Sequence, residues 1–256
     1  MKTIAVINQK GGVGKTSTCV NLAYGLATMN RKILLVDIDP NGHSSAALYP
    51  DVPHEPTIKD LLLNKELHPN KVILSSIIKD KKIKNLFLIP SRITLAPVQE
   101  ALFSKAHKEK ILQKQLSKII NDYDYIIIDC PPTLSSLTVN AMYAADFILI
   151  PIKYEKDALE GVADLFVSIS EVKEDELFDY KILRNGCDYR KTRTNRFIDE
   201  KLSSFEEEGK VMETIIRDVE DINQAKISDE PVFTYNPKSN ATTDFISLTK
   251  EIISHE

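Results

Sequence analysis

Eight residues near the start of the chain, Lys10-Gly11-Gly12-Val13-Gly14-Lys15-Thr16-Ser17, restrict what it can fold into more than any other stretch. They stand between an apolar run, Ile4-Ala5-Val6-Ile7, and a helical pattern that begins at Thr16 and continues to about residue 28. A glycine-rich turn in that setting lets the backbone curl until successive N–H groups point inward. The helix that follows adds the positive end of its dipole, and the loop becomes an anion cradle. The predicted phosphate-binding residues are therefore Gly11, Gly12, Val13, Gly14, Lys15, Thr16 and Ser17, with Lys15 placed to reach β- and γ-phosphates. The Thr16 hydroxyl is placed to ligate a magnesium ion bridging those phosphates.

Spacing narrows the class of nucleotide. A dinucleotide fingerprint counted from Gly12 needs glycine at 12, 14 and 17, and Ser17 breaks it. The ordinary mononucleotide pattern asks for glycine at position 9, where Gln9 stands, and makes no demand at position 10, where the chain has a second lysine. K-G-G-V-G-K-T resembles the deviant Walker A loop of the ParA/Soj/MinD family of ATPases. That resemblance implies ATP as the ligand and assigns Lys10 to the partner's nucleotide across a dimer interface.

Two further segments fall in the same family order. Ile33-Leu34-Leu35-Val36 is a continuous apolar run of the kind found in parallel sheets buried on both faces, and it ends in Asp37-Ile38-Asp39-Pro40-Asn41-Gly42-His43. This resembles the family's D-x-D-P-Q-G switch, with Asn41 in place of glutamine, and implies that Asp39 orients the attacking water while Asp37 supports the magnesium site. Tyr125-Ile126-Ile127-Ile128-Asp129 is an apolar strand closing on a carboxylate, the Walker B arrangement, so Asp129 is a predicted magnesium residue. The Asp129-Cys130-Pro131-Pro132 that follows resembles the family loop that senses the γ-phosphate.

Strand and helix patterns continue to alternate, with strands at 86–89, 147–151 and 180–185 and helices at 97–120, 135–145, 158–173 and 241–253. Thr57 is the predicted N-cap of a short helix through residue 62. Such alternation predicts an α/β fold, a doubly wound and mostly parallel sheet flanked by helices, and the resemblance implies one P-loop ATPase domain covering 1–256. By family analogy Asn185, at a strand end, is a candidate for adenine recognition. Arg217, in a segment resembling the family's proline-arginine-asparagine stretch, is another.

Composition removes other classes. No apolar run nears the roughly 20 residues of a membrane helix, and the ending, Lys250-Glu251-Ile252-Ile253-Ser254-His255-Glu256, is not the basic amphipathic helix of MinD-like proteins. No leader pattern opens the chain, so a cytoplasmic, nucleoid-associated location without membrane contact is expected. Cys19, Cys130 and Cys187 are odd in number and far apart, which argues against a disulfide framework, a zinc site or the bridging cysteines of iron-carrying relatives.

Although the net charge is −4, basic residues cluster at Arg184, Arg190, Lys191, Arg193 and Arg196, with Lys201 beyond. This is the region where the family's DNA-contacting arginines occur, and a local patch suffices for nonspecific binding of double-stranded DNA. Glu220 and Asp221 stand where chromosomal relatives tend to be basic. A loop starting at residue 10 leaves no room for an operator-reading domain before it. The resemblance thus implies a slow, partner-stimulated ATPase that forms a homodimer over Mg2+ and ATP, with Lys10, Lys15 and Asp39 as catalytic residues. It would bind DNA and partition a plasmid or chromosome with a ParB-like adaptor. The alternatives are a positioning ATPase for non-DNA cargo and a small-molecule phosphoryl-transfer enzyme of the dethiobiotin synthetase type.

Overall fold

The apolar runs that precede each charged or proline stop form the middle of one eight-stranded sheet in the computed structural model, which describes residues 2–155, 162, 165–167 and 178–255. The strands are β1 (Lys2–Val6), β2 (Ile33–Asp37), β3 (Leu74–Ile78), β4 (Lys81–Ile89), β5 (Tyr125–Asp129), β6 (Phe147–Lys153), β7 (Asp179–Cys187) and β8 (Val211–Arg217). Their order is β3-β4-β2-β5-β1-β6-β7-β8, and every neighbouring pair is parallel except β3 with β4. Side chains alternate between two cores. Ile4, Val6, Ile33 and Leu35 point into one, while Ala5, Leu34, Val36 and Ile128 point into the other. Burial on both faces explains why the central strands read as unbroken apolar sequence.

The helices are α1 (Lys15–Thr28), α2 (His43–Leu48), α3 (Ile58–Leu63), α4 (Val98–Phe103), α5 (Ile111–Leu116), α6 (Ser136–Ala144), α7 (Thr192–Glu207), α8 (Glu220–Ile227), α9 (Val232–Tyr235) and α10 (Asn240–Ser254). Apolar residues of α1, α2 and α8 to α10 fill one core, and those of α3 to α7 fill the other. The stripe Ala241, Phe245, Leu248 and Ile252 of α10 has the helical spacing that buries one face. It lies against α1 so closely that a Cβ on Gly25 would collide with the Thr249 hydroxyl. At α3 the Asp60 carboxylate accepts from the Thr57 N–H at 2.7 Å, half of a capping box.

Some expected boundaries differ. The single helix expected over 97–120 is broken into α4, a 3-10 turn at Lys108–Lys110 and α5, with His107 in the left-handed region at φ 52°. The break turns Lys105 inward, where its ammonium donates to the carbonyls of Leu62 and Leu63 at 3.0 and 2.7 Å. Strand β3 was not expected. It pairs with β4 through a two-residue turn, Lys79-Asp80, with both residues at positive φ, a hairpin geometry that glycine and asparagine usually signal. Of the helix expected over 158–173, residues 162 and 165–167 are described and are helical, and the rest lies outside the described residues.

Candidate active site

At the carboxyl end of β1, Asn8 fixes the start of the loop. Its amide donates to the Pro151 carbonyl at 2.9 Å, and its oxygen accepts from the Lys10 N–H at 2.8 Å. Gly14, at φ 91°, leads directly into α1, and the Asn185 amide donates to the Val13 carbonyl at 2.6 Å. A side chain at Gly14 would overlap that amide, so only glycine fits. Asn185, the candidate for adenine recognition, lines the cleft, and its amide N–H braces the phosphate loop.

The cleft, about 330 Å3 in volume, gathers Gly11, Gly12, Gly14, Lys15, Thr16, Ser17, Asp39, Asn185 and Arg217. Val13 contributes backbone to the loop while its side chain is buried. Lys15 donates to the Lys10 carbonyl at 3.0 Å, and burial pulls its pKa down against the attraction of Asp129. A cation held poorly hydrated at the floor of an anion cradle is poised to exchange a neutral carbonyl for a phosphate oxygen. Lys10 behaves differently. Its side chain does not line its own cleft, and its ammonium lies 3.4 Å from Glu155, which also holds Lys153 at 3.2 Å.

Behind the cleft, the sheet register sets Asp37 directly beside Asp129. Both are fully buried, and both are pushed above the usual carboxylate range, Asp37 by burial and by Asp129, Asp129 chiefly by burial. Their partners separate their roles. Asp37 Oδ1 accepts from the Asp39 N–H at 3.0 Å, and Oδ2 accepts from the Ser45 N–H at 2.9 Å and hydroxyl at 2.7 Å. The Ser45 oxygen in turn accepts from the Ser91 N–H at 2.8 Å. Asp37, the expected support of the magnesium site, therefore holds the switch loop together through both of its oxygens.

Asp129 Oδ2 accepts from the Ser44 hydroxyl at 2.5 Å, whereas its buried Oδ1 makes no hydrogen bond. An orphaned carboxylate oxygen in a dry site costs several kcal/mol unless something compensates it, on the order of 1–3 for a neutral group and more for a charged one. Together with the Thr16 hydroxyl, this donor set fits a hard divalent cation that takes oxygen ligands, such as magnesium. Among the described residues no cluster of three or more histidine, cysteine or acidic side chains offers a different metal site.

Asp39 lines the cleft at 8% exposure, with Oδ1 accepting from both the backbone and the side-chain N–H of Asn41 at 2.9 Å. The short Asn41 amide folds back on its neighbour, and Oδ2 of Asp39 has no donor among the described residues. Arg217 reaches the cleft wall but is clamped by Asp244 at 2.6 Å.

Of the basic set, Arg184 departs from expectation. Its side chain is 13% exposed, and its guanidinium pairs with Glu206 at 2.8 Å and donates to the Met212 carbonyl at 3.1 Å, so it ties β7 to α7 and β8 and is not a free surface cation. Arg190, Lys191, Arg193 and Arg196 are exposed at the head of α7, with Arg190 bound to Asp188 and Arg196 to Glu200.

Ser44, Ser45, Lys153 and Glu155 were not expected at the site. Two hydroxyls opening a helix just after a strand-end carboxylate, and charges at the end of the strand beside β1, were the available signals. The three cysteines are buried, and burial pushes each thiol up, Cys187 to about 11. No helix among the described residues is long and apolar enough to cross a membrane.

Comparison with known proteins adds context to this geometry. A family model described as an AAA domain matches residues 1–184. The sporulation initiation inhibitor protein Soj of Bacillus subtilis (strain 168) is 35% identical over 260 residues, covering 99% of each chain. The chromosome partitioning protein ParA of Myxococcus xanthus (strain DK1622) is 32% identical over 264 residues, covering 100% of this chain and 89% of that one. Among solved structures, a protein of Borrelia burgdorferi B31 assigned to plasmid partition and bound to AMPPNP has a TM-score of 0.83 at 25% identity, covering 100% of this chain and 99% of that one. A cobyrinic acid a,c-diamide synthase from Mycobacterium smegmatis with bound ATP analog and magnesium has a TM-score of 0.79 at 26% identity, covering 100% and 95%.

Proposed function

We propose, from the premise that the chain belongs to the ParA/Soj family of partition ATPases, that it binds Mg·ATP in this cleft and hydrolyses it to ADP and phosphate as one domain spanning 1–256. In the ATP state two copies pair over their nucleotides, and the pair holds duplex DNA nonspecifically while a plasmid or chromosome is moved. A DNA-bound, ParB-like adaptor stimulates hydrolysis and releases the complex, which works in the cytoplasm at the nucleoid.

The observation that carries the pairing is the contrast between two lysines five positions apart in one loop. Lys15 turns into its own cleft, and Lys10 turns out of it toward Glu155. A cation that leaves its own phosphate cradle is available to a facing one.

Bound magnesium would supply neutralisation of phosphate charge. Thr16 and Asp129 would hold it. Phosphoryl transfer to water asks little covalent chemistry of a protein and much positioning. Lys15 and the loop N–H groups neutralise the phosphate oxygens, and Asp39, through the oxygen that Asn41 leaves free, aligns the attacking water. Asp37 acts at one remove by holding the Asp39 N–H. Hydrolysis is slow in a single chain because Lys10 is drawn to Glu155 until a partner's phosphates compete for it.

Light scattering of Lys10→Ala tests this directly. The variant is expected to bind ATP and fail to dimerise with it, and an unimpaired ATP dimer refutes a cross-subunit lysine. Retention on DNA with ATP, ADP and no nucleotide, across a salt series, tests the surface at the head of α7. A steep loss with salt, confined to the ATP state, is expected from phosphate neutralisation. The likeness to a cobyrinic acid a,c-diamide synthase supports a second reading, a small-molecule phosphoryl-transfer enzyme. That reading requires turnover that rises only with a small acceptor, and no DNA retention.

A further inference from the structure

On the sheet face opposite α1, the end of α3 and the length of α5 enclose a groove of about 530 Å3 that shares no lining residue with the nucleotide cleft. Its walls are built by the way α3 ends. The last carbonyls of a helix lack intrahelical partners, and here side chains from the α4–α5 segment supply them. The Gln115 amide donates to the carbonyls of Leu61 and Asn64 at 2.8 and 3.0 Å, Lys105 to those of Leu62 and Leu63, and Lys118 to that of Lys65 at 2.8 Å. The groove is therefore held open by hydrogen bonds and exists before any ligand arrives.

Charge and surface chemistry specify the occupant. Lys65, Lys105, Lys114 and Lys118 line the groove and Glu66 is the one acidic residue among its lining; among the described residues Lys105 and Lys118 meet carbonyls, and none of the four ammoniums pairs with a carboxylate. In a chain of net charge −4 this is a local reversal of sign. Beside the polar Asn64, His107 and Gln115, the lining holds an apolar strip that includes Ile111, half-buried, and Leu63, 41% exposed. A nucleic-acid backbone would satisfy the rim and leave that apolar strip wet. An amphipathic peptide with carboxylates along its edges and leucine-like side chains on one face satisfies both. We propose that this groove docks an acidic amphipathic segment of a partner protein, a surface separate from the ATP site and from the basic head of α7.

The test selects peptides of about 12 residues, some three helical turns, from a random display library on the full chain. The selected peptides are expected to be acidic with leucine, isoleucine or phenylalanine at helical spacing. Fluorescence anisotropy of the best peptide is expected to show about tenfold weaker binding to Lys65→Glu/Lys114→Glu, in line with reversal of two rim charges, and weakening with added salt. Neither lysine ammonium makes a described hydrogen bond, so basal ATPase activity and thermal stability of the double variant should match the parent and show that it folds. Leu63→Ser provides a charge-neutral check and is expected to weaken binding as well. Basic or uncharged winners, equal binding to both variants, or displacement of the peptide by a plain DNA duplex would overturn the proposal. Because the peptide arm needs no nucleotide, its failure is distinguishable from failure of the ATPase reading.

Discussion

Ser45→Ala is the sharpest probe of the switch loop, because one hydroxyl there serves two buried groups. Removing it deletes a 2.7 Å hydrogen bond to the Asp37 carboxylate and strands the Ser91 N–H, which donates to it at 2.8 Å. Ser45, Ser91 and Asp37 are at most 2% exposed, so water does not step in. A hydrogen bond to a charged group contributes about 1.5–3 kcal/mol and a dry, unpaired N–H costs about 1–3 kcal/mol, so the expected loss is about 3–5 kcal/mol. Against a total of roughly 5–15 kcal/mol that is a large fraction. It corresponds to a fall in Tm of about 10 °C at this chain length.

Urea unfolding of parent, Ser45→Ala, Asp37→Asn and the double variant measures the effect, and the cycle should return a coupling of about 1–2 kcal/mol. The pH dependence carries a sign. Asp37 has a folded pKa raised above its unfolded value, so lowering the pH through the folded value protonates the native carboxyl first and favours the native state. The Ser45 hydrogen bond matters most to the ionised carboxylate. The deficit of Ser45→Ala should therefore be widest at neutral pH and narrow as the solution is acidified. A loss below about 1 kcal/mol, or one that does not change with pH, refutes the assignment of Asp37 as the organiser of the loop.

Other outcomes follow from the same geometry. Asp39→Ala should keep ATP affinity, lower hydrolysis by about 100-fold or more and trap a long-lived DNA-bound complex in a dissociation assay. Arg184→Ala should destabilise the chain by about 1–2 kcal/mol through its lost bond to the Met212 carbonyl and leave the salt slope of DNA retention unchanged. Arg193→Ala should do the reverse, lowering the slope by about one with no change in urea midpoint. Thiol titration of the folded chain with an aromatic disulfide at pH 8 should find no rapidly reacting cysteine, because all three are buried and their thiols are pushed up; a fast-reacting thiol in the native chain contradicts that burial.

Where a local rule acts alone, the sequence was legible. The continuous apolar runs of β1, β2, β5 and β6 declared a sheet buried on both faces, and the phosphate loop and the aspartates at strand ends could be placed from them. What escaped depended on partners distant in sequence. The part Asp37 plays in the switch loop shows only when Ser45 is seen to donate to it and Ser91 to Ser45, and Arg184 reads like surface charge until Glu206 and Met212 close over it. The periodicity across 97–120 is helical throughout. It conceals a break at 104–107, because the residue that profits from the break, Lys105, is bonded to a helix more than forty positions earlier. Strand β3 was hidden by a turn that uses lysine and aspartate at positions where glycine and asparagine are the familiar markers.

The side-by-side pairing of Asp37 with Asp129 has a consequence for how this site tolerates change. In a parallel ladder, neighbours share a height above the base of the sheet, so the catalytic depth of both aspartates is set by counting residues from Ile33 and from Tyr125. A single residue inserted in either strand would lift one carboxylate by about 3.3 Å and swing it to the opposite side of the pleat. The two strands must therefore keep their length in step.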